Sequence, residues 1–222
     1  METLYGTAER VLAPILHAWF DWDIEGLERL PRSGPVIVAA NHVSYLDPFV
    51  VAYVLHERGL RGRFLAKAEL FRNPVLRWVL LRLGQIPVRR ATGDRRSLDA
   101  AEDEIWRGAV VVIFPEATIG PGLPLLPFKT GAARLSIATG VPVTPVVTWG
   151  GQAVFPKGAK RNLRRGSRLK ALVGEPVSPG SAIADPDQVA RLTAELQARL
   201  TGLVARVAEP VRRDALGGGS SH

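Results

Sequence analysis

Val36-Ile37-Val38-Ala39-Ala40-Asn41-His42-Val43-Ser44-Tyr45-Leu46-Asp47-Pro48 is the stretch from which the fold is read. Its first five residues are apolar and mostly β-branched, and Ser33-Gly34-Pro35 before them is turn chemistry, so a short buried strand is expected. Asp47-Pro48 has the composition of a helix start: a capping carboxylate, then proline at the first helical position. That helix should run to about His56.

The same alternation continues outward from this unit. Short strands are expected over Phe64 to Lys67, Ile86 to Val88, Val110 to Phe114, Val141 to Thr148 and Leu169 to Val173. Helices are expected from Asn73-Pro74 to Gly84, over Asp94 to Arg107, over Gly131 to Thr139, and over Val189 to Val207. Such a pattern implies an α/β fold: a single domain with a mostly parallel central sheet flanked by helices, plus an N-terminal amphipathic helix. The expected boundaries are 1–21 for that helix, 22–212 for the domain and 213–222 for a flexible tail. In the first segment Leu4, Tyr5, Ala8, Val11, Leu12, Ile15, Leu16, Trp19 and Phe20 recur at helical spacing, with Pro14 expected to interrupt them. Docking on lipid and docking on the chain's own domain are both open for it.

Composition narrows the chemistry. The 222 residues include no cysteine, which removes disulfides, thiolate zinc sites and cysteine nucleophiles. His17, His42, His56 and His222 show no metal-cage spacing, so no metal site is expected. No run of about 18 apolar residues suggests a membrane span, and no secretory signal is visible, so a cytoplasmic location is expected. The net charge is +8, and Lys157, Lys160, Arg161, Arg164, Arg165, Arg168 and Lys170 form a run without an acidic residue. Such a run suits anionic lipid, an acidic carrier or a merely solvated loop. Nucleic acid is not expected as a partner, since no recognisable module or interleaved aromatic residue accompanies it.

The polar turn after the first strand holds the candidate chemistry. Ligands bind in open α/β sheets where strands run out. A turn between His42 and Asp47 lets the carboxylate fold back to one ring nitrogen, leaving the other free as a base for an alcohol. The competing reading is that Asp47 only caps its helix and His42 only packs at a strand end.

Asn41 to Asp47 resembles the first signature block of the glycerolipid acyltransferases, the family that includes 1-acylglycerol-3-phosphate acyltransferase and carries the HxxxxD motif. Gly84-Gln85-Ile86-Pro87-Val88-Arg89-Arg90, Phe114-Pro115-Glu116-Ala117-Thr118 and Val141-Pro142-Val143-Thr144-Pro145-Val146 resemble the second, third and fourth blocks in order. Phe64 to Leu70 and Phe128 to Ala132 also look familial, so the likeness covers roughly 22–178. It implies transfer of a fatty acyl group from acyl-CoA or acyl carrier protein to a lysophospholipid hydroxyl, without a covalent acyl-enzyme. In this resemblance His42 is the general base, Asp47 orients it, Glu116 helps place the acceptor, and Lys67 and Arg90 engage its phosphate. No metal or redox cofactor is implied. The implied location is peripheral, on the inner face of the cell membrane. Thr118, Lys129 and Thr144 are read as structural.

The third block departs from the family pattern. Where that pattern continues Gly-Thr-Arg, this chain has Ala117-Thr118-Ile119. Isoleucine cannot replace a phosphate-binding guanidinium, so either Arg89, Arg90 or Lys129 substitutes, or the acceptor is another lipid alcohol. A non-catalytic lipid-binding protein of the same fold is the remaining alternative. Alanine at 117 matters only if the backbone there needs positive φ.

Overall fold

A computed structural model describes residues 2–88, 95–180 and 185–216; Arg89, Arg90 and Asp94, and with them residues 217–222 of the expected tail, lie outside the described residues. The strands are β1 (Phe20–Glu25), β2 (Val36–Ala40), β3 (Gly62–Lys67), β4 (Ile86–Val88), β5 (Val110–Ile113), β6 (Val143–Trp149) and β7 (Ser167–Val173). The helices are α1 (Glu2–Trp19), α2 (Asp47–Glu57), α3 (Pro74–Arg82), α4 (Arg95–Trp106), α5 (Gly131–Thr139), α6 (Gly151–Val154) and α7 (Pro186–Leu216). One sheet orders the strands β1-β7-β6-β2-β5-β3-β4. β2 lies parallel between β5 and β6, and β3 lies parallel between β5 and β4. β7 turns antiparallel to β6 and takes β1 parallel to itself. The fold is therefore α/β with a mostly parallel sheet, as the alternation of elements implies.

β2 is buried along its whole length because both faces of the sheet are covered. Ile37 and Ala39 face a core built with α4, α5 and α7, whereas Val36, Val38 and Ala40 face one built with α2. The strands β2, β3, β5 and β6 all run out at one edge, and the polar turn 41–46 stands there.

β1 was not expected as a strand, although its sequence carries the signal. Phe20, Trp22 and Ile24 alternate with Asp21, Asp23 and Glu25, the period of a half-buried edge strand. Asp23 faces β7 and pairs with Arg168 at 3.1 Å and Lys170 at 3.6 Å. This divides the basic run: Arg168 and Lys170 are sheet residues, while Lys157 to Arg164 remain in the loop before β7.

α1 also differs from expectation, since it continues through Pro14 instead of stopping there. Pro14 is exposed, and the helix there lacks the bond that the missing N–H would have made. One side of α1 is tied to the domain: the indole of Trp22 donates to the Leu16 carbonyl at 2.9 Å, and the His17 ring lies 2.7 Å from the Tyr53 hydroxyl. The other side leaves Val11, Leu12, Ile15 and Trp19 exposed.

Candidate active site

Asp47 occupies the first turn of α2 but does not cap it; the helix is led by Leu46 without a side-chain cap. The carboxylate turns back toward the 41–46 turn instead. Its Oδ2 accepts from the main-chain N–H of Val43 at 2.6 Å and of Ser44 at 2.8 Å, and lies 2.9 Å from His42 Nδ1. Its Oδ1 accepts from the Thr148 hydroxyl of β6 at 3.0 Å. Complete burial of a carboxylate is tolerable only with this degree of hydrogen bonding.

Each neighbour is itself held. The Asn41 side chain donates to the Thr148 carbonyl at 3.0 Å and accepts from the Thr148 N–H at 2.8 Å, locking the end of β2 to β6. The Ser44 hydroxyl bridges the turn to the carbonyls of Gly151 and Phe155, both at 2.9 Å. Phe114 stacks on the His42 ring with centroids 4.5 Å apart, and Phe64 of β3 stacks on Phe114 in turn. His42 Nε2 has no hydrogen-bond partner among the described residues, and the ring keeps a small exposed edge, 8% for the residue.

The loop after β5 grips His42 from both sides of its main chain. Glu116 Oε1 accepts from the His42 N–H at 2.8 Å, and the Gly120 N–H donates to the His42 carbonyl at 2.7 Å. Glu116 Oε2 accepts from the Leu126 N–H at 3.0 Å, so both oxygens of this buried carboxylate serve the protein's own backbone. A Cβ at position 120 would stand 2.7 Å from Glu116 Oε2, so glycine there lets the loop close on the carboxylate without displacing it. Burial raises the Glu116 pKa, and the two main-chain donors partly offset it. Ala117, in the tight turn that follows Phe114, has φ +57°, the left-handed conformation that glycine adopts without strain.

His42, Asp47 and Glu116 are thus brought together. Lys67 ends β3 at the same edge; extending the register from Phe64↔Val112 puts it level with Pro115. It is exposed, with its ammonium 3.8 Å from Glu69. Arg90 lies outside the described residues.

A different cation reaches the place of the missing arginine. The Lys157 ammonium donates to the Thr118 hydroxyl at 3.2 Å and to the Ile119 carbonyl at 3.4 Å. Both partners are neutral oxygens. The lysine follows Phe155, whose carbonyl accepts from Ser44 Oγ and from the Tyr45 N–H at 3.1 Å, so the turn that holds Asp47 also sets this loop. Arg161 lies over the Phe155 ring at 4.8 Å and closes the loop from its other side. Lys129, named as a substitute from the sequence, is exposed and reaches the third block only through its main chain, whose N–H donates to the Pro115 carbonyl.

Residues 21–149 match the family model described as Acyltransferase. The chain belongs to the acyltransferase family. Within it, the chain is 33% identical over 167 residues to the chloroplastic 1-acyl-sn-glycerol-3-phosphate acyltransferase BAT2 of Brassica napus, covering 73% of this chain and 46% of that protein. It is 29% identical over 212 residues to the alpha form from Mus musculus, covering 92% of this chain and 71% of that one. The crystal structure of the 1-acyl-sn-glycerophosphate acyltransferase PlsC from Thermotoga maritima superimposes with a TM-score of 0.71 at 25% identity, over 93% of this chain and 79% of that chain. The chain spans about half the length of the plant relatives it matches. Among the described residues no helix is long and apolar enough to cross a membrane. No group of three or more histidine or acidic side chains there is placed to hold a metal ion.

Lys157, Thr148 and Asn41 are the site residues whose tasks the sequence left unread. Asn41 is part of the first block, but its partner is 107 positions away. Lys157 stood in the basic run, yet only the fold brings it to residue 119.

Two substitutions test the support around His42. Glu116→Gln leaves one of two buried N–H donors facing an amide NH₂ and should cost about 1–3 kcal/mol in urea unfolding. Burial lifts the folded-state pKa of Glu116 above its unfolded value. Its contribution is therefore fully present below the ordinary glutamate range and declines as pH rises through the lifted value. The stability gap between wild type and variant should accordingly widen on acidification; a constant gap would contradict the assignment. Ala117→Gly should raise stability by up to about 1 kcal/mol by relieving the left-handed alanine.

Proposed function

We propose that the chain transfers a fatty acyl group from the thioester of acyl-CoA or acyl carrier protein to the free hydroxyl of a lysophosphatidate-like acceptor. The observation that carries this reading is the carboxylate on His42 Nδ1, with no hydrogen-bond partner on Nε2 among the described residues. His42 Nε2 takes the acceptor's hydroxyl proton as its oxygen attacks the thioester carbonyl. The tetrahedral intermediate then collapses, the C–S bond breaks, and the departing thiolate takes the proton from the imidazolium. Ester and free thiol result, and nothing in this sequence requires a metal or redox cofactor. Asp47 holds the ring orientation and stabilises the imidazolium, and the positioned base it serves contributes about 10²–10⁴-fold in rate.

Lys157 takes the acceptor's phosphate in place of the family arginine. Its ammonium stands beside the loop that grips His42, where a bound phosphate would replace two weak neutral contacts with a charge-assisted one. Lys67 and Arg90 are further phosphate ligands in this reading, and Glu116 acts by fixing the His42 main chain against which the acceptor is placed. The likeness to proteins named 1-acyl-sn-glycerol-3-phosphate acyltransferase supports the acceptor class. A lipid acceptor calls for a membrane partner, here the inner face of the cell membrane; the exposed apolar side of α1 and the Lys157 to Arg164 loop suit anionic lipid.

An assay of thiol release over a panel of acceptors tests the assignment. His42→Ala should abolish turnover with every acceptor; equal release by this variant and wild type would remove His42 from the mechanism. Lys157→Met should raise KM for lysophosphatidate by about 10–100-fold with little change in kcat. It should leave monoacylglycerol unaffected, and Lys157→Arg should restore most of the loss. An equal effect on the uncharged acceptor would deny Lys157 the phosphate.

A further inference from the structure

α3 is a nine-residue helix that buries none of its side chains. Its sequence, Pro74-Val75-Leu76-Arg77-Trp78-Val79-Leu80-Leu81-Arg82, is apolar almost all round. A helix of that kind belongs in a core or in lipid, because in water it exposes apolar surface with no return. Val75 is 72% exposed, Trp78 52% and Leu81 44%. The helix is nonetheless well begun, since the Asn73 side chain accepts from the N–H groups of Val75 and Leu76 at 3.0 Å. Its exposure is a property of a formed element.

Along the chain, the charges that next follow Glu69, itself 3.8 Å from Lys67, have one sign. From Leu70 to Gly93 the sequence holds five arginines and no acidic residue. Arg72, Arg77 and Arg82 are exposed, and the Arg82 guanidinium sits over the Trp78 ring at 5.0 Å. Tryptophan beside arginine is suited to a membrane–water boundary, with the ring among the upper acyl chains and the guanidinium at the phosphates.

Topology places the helix usefully. The connections β2–α2–β3 and β3–α3–β4 advance across the sheet in the same direction, so right-handed crossovers put α3 on the side of α2. The exposed apolar side of α1 also belongs to that side, through its contact with α2, as does Phe49 of α2 itself. β4–α4–β5 moves back, which puts α4 and its exposed Trp106 on the opposite side.

We propose that α3 is a lipid-insertion element, and that the protein rests on an anionic bilayer through this side of the sheet, with α3 dipping into the acyl-chain boundary. Exposed apolar residues on α1, at the start of α2 and on α3 share this side of the sheet, and the excess of arginine around α3 fits acidic headgroups. The proposal deepens the lipid-acceptor reading above, yet it is measured by binding, without turnover.

The chain's lack of cysteine gives a direct test. Val75→Cys carries an environment-sensitive fluorophore in the full chain, and Trp106→Cys carries the same label as the opposite-side control. The vesicles are phosphatidylcholine with or without phosphatidylglycerol. With phosphatidylglycerol present, the label at 75 should shift to the blue and be quenched by doxyl-lipid, while the label at 106 stays water-like. Combining Val75→Asn, Trp78→Asn and Leu81→Asn should weaken vesicle binding about tenfold or more. These exposed substitutions should leave the circular dichroism and the turnover of a short-chain, monomeric acceptor unchanged. Equal responses from both labels would overturn the proposal, as would a silent label at 75 or no binding to vesicles. A shift at 75 produced by acyl carrier protein alone, or by raising protein concentration without lipid, would reassign the surface and overturn it equally.

Discussion

One buried carboxylate organises this end of the molecule. Asp47 is completely shielded from water, and it is held there by a hydroxyl from β6, two main-chain N–H groups of its own turn and the imidazole of His42. Removing a carboxylate from water is expensive, so the arrangement persists only while these hydrogen bonds are kept. The turn must therefore keep one shape. The end of β2 must stay level with β6, and the helix behind Asp47 must start where it does.

The second support is mechanical. Glu116 and Gly120 hold the two main-chain polar groups of His42, so the ring is positioned by its backbone as well as by its side-chain partner. Stacking against Phe114 fixes the plane. Few degrees of freedom remain for the ring, which is what the proposed proton transfer from a hydroxyl to its second nitrogen would need. The alanine in left-handed conformation at 117 shows that this loop keeps its path even where the residue fits it poorly. The same loop ends beside Lys157, which joins the place where a proton would be removed to the place where an anion would be held.

Much of this was legible from residue types alone, for reasons that are local. β2 and α2 announce themselves through a β-branched run and a proline one residue after an acid, and the histidine and aspartate stand between them. What escaped was set by distance along the chain or by competing local signals. Asp47 reads as a helix cap because capping is what an aspartate before proline usually does; burial against Thr148, 101 positions later, redirects it. The alternation of β1 was overlaid by the helical spacing that ends on Trp19 and Phe20, and the cations that pair it, Arg168 and Lys170, lie far along the chain. Lys157 was visible as one charge in a run, whereas its meeting with Ile119 needs α6 and the turn at Ser44 to bring the loop round. α3 was located correctly from its asparagine and proline, but nothing local tells that its apolar residues face outward.

The central claim is that Asp47 fixes the protonation pattern of the His42 ring. Two-bond ¹H–¹⁵N correlation spectra of the histidine-labelled protein read that pattern directly, and with only four histidines in the chain the assignment by substitution is short. At a pH where the ring is neutral, His42 should carry its proton on Nδ1 with Nε2 as the bare acceptor, and Asp47→Asn should disturb this. A ring protonated on Nε2, or one whose tautomer is indifferent to Asp47, would contradict the account.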